Sequence, residues 1–139
     1  MPGNVQPIYT RVPDVQWGTV AITAANTTKD LTTGTSYLVF SADTTNGGFV
    51  QRIRFRPLGT NVVTVGRVWI NNGLTTGTAA NNTLWDEITL NASTVSEVSS
   101  LATQELPLNI GLPPGYTLYV TIGTGVSAGF DVTVIGGKY

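Results

Sequence analysis

Cysteine and histidine are both absent from the 139 residues. Without cysteine there is no disulfide, no thiolate ligand for a metal and no sulfur nucleophile. Without histidine the chain lacks the commonest metal ligand and the commonest general base near neutral pH, and a Ser-His-Asp arrangement cannot form. Charge is scarce too: 11% of residues, seven basic against eight acidic, net −1. Such a chain raises no strong field toward nucleic acid or an anionic membrane, so neither is an expected partner. No apolar run approaches the ~20 residues that span a bilayer. Met1-Pro2-Gly3-Asn4 lacks the basic and apolar regions of a secretory leader, and the expectation is a product kept or assembled in a cytoplasm.

The motifs of common catalysis are missing as well. There is no phosphate loop and no dinucleotide glycine signature. Asp86 and Glu87 are adjacent on an expected strand, so they point to opposite faces and cannot work as a carboxylate pair. No Asn/Asp-rich loop has the oxygen-ligand spacing of a calcium site. Two distant carboxylates of the glycosidase kind are the one catalytic arrangement left open. The expectation is therefore a protein that is not an enzyme, with no catalytic residue, cofactor or metal.

What the chain does hold points to β-structure. Threonine is heavily used, beside 16 glycines, many asparagines and a 41% hydrophobic share. Thr packs well on a pleated surface, while Gly and Asn supply the positive φ of tight turns. The length fits one domain able to hold a core without staples. Residues 1–16 read as an extended N-terminal arm, because Pro2, Pro7 and Pro13 favour β or polyproline conformations. The arm still carries Val5, Ile8, Tyr9, Val12 and Val15. It either packs on its own domain as an edge segment or docks on a neighbouring subunit.

From Trp17 onward the period is two. Strands are expected at 17–24, 36–42, 49–58, 62–71, from Leu84 to Leu90, from Leu106 to Ile110, 116–122, and through Phe130, Val132 and Val134. Asn46-Gly47 reads as a hairpin turn. Val63 and Val65 fall out of phase with Val68 and Ile70, which a bulge at Gly66 would repair, leaving Arg67 and Trp69 outward. Residues 71–83 form a long polar loop, and 91–105 a loop with at most one helical turn. About eight strands with turn signals every 8–12 residues predict a single antiparallel β-sandwich, jelly-roll-like, over 17–139.

Arg52, Arg54 and Arg56 share one strand face at spacings of about 7 Å. They can face carboxylates or phosphates on a partner, or cross-strand partners such as Glu87 and Asp131 on their own sheet. Arg67 and Trp69 would add an amphipathic patch. An outward Trp69 or Trp85 can anchor an interface or stack on a sugar, and either can equally be core. Trp17 is expected to seal one end of the core. The candidate partner-binding set is Ile8, Tyr9, Val12, Arg52, Arg54, Arg56, Arg67 and Trp69.

Two stretches carry a family likeness: Gly66–Leu90, with its Asn71-Asn72-Gly73 loop and Ala80-Asn81-Asn82-Thr83-Leu84 return, and Leu106–Gly123, where Leu112-Pro113-Pro114-Gly115-Tyr116 leads into an aliphatic strand. Over roughly 17–139 the chain resembles small structural proteins of tailed bacteriophages. The resemblance implies a β-sandwich that coats or cements the outside of a capsid, commonly as a trimer, and carries over no functional residue. The expected role is a virion decoration protein, assembled in a host cytoplasm and bound to the major capsid protein and to itself. The alternative is a receptor- or carbohydrate-binding module of a fibre or tail.

Overall fold

A computed structural model describes residues 10–139. It contains eight strands: β1 (Val12–Trp17), β2 (Tyr37–Ser41), β3 (Gly48–Pro57), β4 (Thr64–Asn71), β5 (Asn82–Leu90), β6 (Gln104–Leu112), β7 (Thr117–Ile122) and β8 (Phe130–Lys138). A single 3-10 turn spans Ala79–Asn81. The strands form two four-stranded antiparallel sheets, ordered β1-β8-β3-β6 and β2-β7-β4-β5. That order is the jelly roll, with two Greek keys wound into facing sheets. Only β4 and β5 are both consecutive and paired; every other connection crosses between sheets.

Alternation explains the layers. In β8, Phe130, Val132 and Val134 are buried while Asp131 is exposed. In β7, Leu118, Val120 and Ile122 point inward. These residues meet Phe40, Val50, Ile53, Phe55, Val68 and Leu90 in one continuous core between the sheets. Each such aliphatic or aromatic side chain contributes about 1.5–3 kcal/mol by leaving water.

Two glutamines close the open sides of the sandwich. On one side Gln16 of β1 donates from Nε2 to Ser41 O (2.9 Å) and accepts the Ser41 N–H at Oε1 (2.9 Å). On the other, Gln104 of β6 donates to Thr89 O (2.6 Å) and accepts the Asn91 N–H (2.8 Å). Each side-chain amide pairs as a peptide would, and satisfies backbone groups at an edge of the second sheet.

Several expectations are corrected. The strand expected at 17–24 lies earlier, at Val12–Trp17, so residues 12–16 of the expected arm are an edge segment packed on their own domain, the first of the two readings; Ile22 makes only an isolated bridge to Phe130. Residues 1–9 of the expected arm, with Ile8 and Tyr9, lie outside the described residues. Asn46-Gly47 closes no hairpin, because β2 and β3 belong to different sheets. It makes a corner instead. Asp43 Oδ1 accepts the N–H groups of Asn46 (2.8 Å) and Thr45 (2.9 Å), and Gly47 takes φ 76°. Those hydrogen bonds, Asn46 first, hold the Asp43 carboxyl below its ordinary pKa. Gly66 is not a bulge. It sits on the core face of β4, where an added Cβ would lie 3.2 Å from both Leu90 and Phe55. The extra residue is Trp85 in β5, opposite the step from Val68 to Trp69. Val63 consequently lies before the strand and is exposed. Residues 91–103 contain no helical turn.

Candidate functional site

The arginine ladder stands on the outer face of the β1-β8-β3-β6 sheet, because Ile53 and Phe55 between its members point into the core. It is occupied within its own subunit. Glu105 of β6 lies between two arginines, with Oε2 at 3.0 Å from Arg52 Nε and Oε1 at 3.4 Å from Arg54 Nε. Arg56 donates to Leu101 O and to Thr103 Oγ1 (3.2 Å), fastening the 91–103 loop to the sheet. Neither expected partner serves: Asp131 is opposite Arg56 in register but forms no ion pair with it, and Glu87 belongs to the other sheet. Exposed pairs of this kind contribute about 0.2–1 kcal/mol each.

Arg67 does not extend the ladder. It lies on the outer face of the opposite sheet, paired with Glu87 at 3.0 Å, its side chain 14% exposed. Its neighbour Trp69 also points away from the main core, yet it is 1% exposed and cannot meet a partner. The reason is the segment between β1 and β2. Asn26 N–H reaches Ile122 O (2.7 Å) at the β7 edge, whereas Asp30 O accepts from Asn82 Nδ2 (3.0 Å) on β5. To join these points the chain crosses the outside of β7 and β4, over Trp69. Among the described residues Leu31 and Trp69 are the two buried hydrophobics outside the main core, and Trp69 Nε1 donates to Thr121 Oγ1 at 3.0 Å. Asn26 pins the flap from beneath, donating to Thr33 O and Thr35 O and accepting from Thr28.

The exposed tryptophans are Trp17, 64% accessible and not the core seal the sequence suggests, and Trp85 on β5. In β1 Val15 and Trp17 alternate outward with Ile135 and Thr133 beside them, and the arginines lie one strand further. The amphipathic face expected from Arg67 and Trp69 is thus built by Val15 and Trp17 with Arg52 and Arg54. Reading the period of two from Val12 onward, through Pro13, Val15 and Trp17, would have found it. No family model matches the chain, and no curated protein does. Val12, at the start of β1, is exposed beside Lys138.

A second apolar surface, absent from the expected set, lies at one end of the sandwich. Leu58, Val62, Val63, Val95 and Val98 are exposed there. Their loops are held firmly. Asn61 pairs with Ser93 through both backbone bonds, Val95 N–H donates to Thr60 Oγ1, and Ser127 Oγ donates to Thr60 O. Asn61 itself is buried: Oδ1 accepts from Ala128 N and Gly129 N, and Nδ2 donates to Gly129 O. Among the described residues no group of three or more Asp, Glu, His or Cys is placed to hold a metal ion.

Proposed function

We propose that the protein is a non-enzymatic structural component of a virion, a decoration protein bound to the outside of the capsid lattice. The observation that carries this reading is the apolar end formed by Leu58, Val62, Val63 and Val95. Mobile loops would bury such side chains against themselves. Here buried asparagine and cross-loop hydrogen bonds fix them in solvent, as a surface pre-organised for a permanent neighbour requires. The low net charge suits contact driven by burial and not by steering. The partner in this reading is the major capsid protein. Self-association as a closed trimer belongs to the same proposal, since weak contacts repeated on a lattice add up to firm attachment. The jelly roll is compatible with the role and does not select it.

The test is a Val62→Asp/Val63→Asp double variant offered to stripped particles. Both residues are exposed, so thermal melting should hardly change while occupancy falls by at least about tenfold, the effect of placing charge in an apolar contact. Undiminished occupancy would remove this end from the contact. Density for the protein at a tail tip instead of on the capsid would remove the decoration reading altogether.

A further inference from the structure

At the end of β1 the chain parts from β8. Trp17 still pairs with Thr133, and Gly18 N–H still reaches Val132 O at 3.1 Å. The next backbone bond to β8 comes only at Ile22, with Phe130. The residues between swing away and leave a half-open recess of about 360 Å3, lined by Trp17, Gly18, Thr19, Asp131 and Thr133. Trp17, itself 64% accessible, supplies part of one wall. Around it stand one carboxylate and two hydroxyls, and none of the three hydrogen-bonds to a described residue. Asp131 is left free because Arg56, opposite it in register, directs its guanidinium to Leu101 and Thr103.

These groups set the chemistry of an occupant. An aromatic face takes the C–H face of a saturated ring, and the surrounding hydroxyls and carboxylate take its polar edge. An anion would meet Asp131. A small cation would use Asp131 and the indole but leave both hydroxyls idle; Arg54 and Arg56 are turned to Glu105 and to the 101–103 loop and do not line the recess. The class that uses the indole, the carboxylate and both hydroxyls together is neutral, with one apolar face and several hydroxyls at its rim. The volume lies at the small end of the 300–1,000 Å3 typical of ligand sites, enough for one ring. We propose that this recess binds a single neutral pyranose unit of a glycan, stacked on Trp17 and hydrogen-bonded by Asp131, Thr133 and Thr19. The proposal does not depend on the virion reading, and its test uses the free protein alone.

The experiment is a nitrogen-15 NMR titration of the full chain with methyl glycosides of gluco, galacto and manno configuration, beside choline chloride. At least one glycoside should shift the Trp17 indole N–H saturably with millimolar affinity, together with amides of Gly18, Thr19 and residues 131–133. Asp131→Asn should weaken that binding about tenfold, the worth of one charge-assisted hydrogen bond. Trp17→Ala should abolish it, with melting temperature unchanged because the ring is exposed. Absence of a saturable shift with all three glycosides overturns the proposal. So does binding that Asp131→Asn leaves intact. A shift with choline but not with the sugars overturns it in favour of a cation site.

Discussion

Asparagine is the residue whose role the sequence conceals most. Asparagine in a chain of this composition is expected in turns, yet Asn26, Asn61 and Asn71 are each buried. A side-chain amide can satisfy backbone donors and acceptors simultaneously, and nothing local distinguishes that use from a turn. Asn61 is the clearest case, because its Oδ1 takes two N–H groups of the 123–129 loop. Asn61→Ala should lower stability by about 2–4 kcal/mol, since it leaves buried donors unpaired. Urea unfolding measures this, and a loss below about 0.5 kcal/mol would place water where the amide stood. Trp69 makes a related point. Its direction away from the main core follows from alternation, but its burial depends on a segment some forty residues earlier in the chain that crosses above it. Period alone reports which way a side chain points, not what lies over it.

At the scale of the element, seven of the eight strands lie close to where period and turn residues place them, and β8 is legible in Phe130, Val132 and Val134. In β7 Leu118, Val120 and Ile122 are buried as expected, but Thr121, which alternation turns outward, is buried too, bonded to the Trp69 indole. The failures concern irregularity. Gly66 invited a bulge because glycine commonly marks one, whereas the extra residue is Trp85, a choice made by pairing with β4 and not by backbone freedom. β1 lies earlier than expected because a proline that favours an extended arm sits inside it. Pro13 is tolerated there since β1 is an edge strand, paired only with β8. The arginine ladder was legible as a face, but its partner was not, because Glu105 lies some fifty residues away in β6. With Arg52 and Arg54 at Glu105 and Arg56 at Leu101 O and Thr103 Oγ1, exchanging all three for Gln should change stability by at most about 1–2 kcal/mol. Occupancy on particles should be unaltered across a salt series. A clear fall that disappears at high salt would show that the ladder meets an acidic partner after all.

At the scale of the molecule, composition sufficed for the all-β sandwich, and turn spacing for the number of strands. Strand order was beyond reach, since the corner at Asn46-Gly47 carries the same residues as a hairpin. That order has a consequence in time. β8 is the last of these eight strands to be synthesised, and it lies between β1 and β3, pairing with both. Until it leaves the ribosome, β1 has no sheet to join and one flank of β3 stays open, while β2 has likewise waited for β7. A growing chain can pair β4 with β5, then β3 with β6, and β7 with β2 and β4, but the first sheet is complete only with β8. Stable folding should therefore wait for β8, with a single slow phase of milliseconds to seconds. Ribosome-held chains ending before Phe130 should be digested by protease as readily as unfolded protein, and chains extended by a linker past Lys138 should resist. Resistance in the shorter chains would mean that the β2-β7-β4-β5 sheet stands alone. Such a delay leaves apolar strands of neighbouring nascent chains exposed side by side, and the sparing use of long hydrophobic runs limits their cross-pairing.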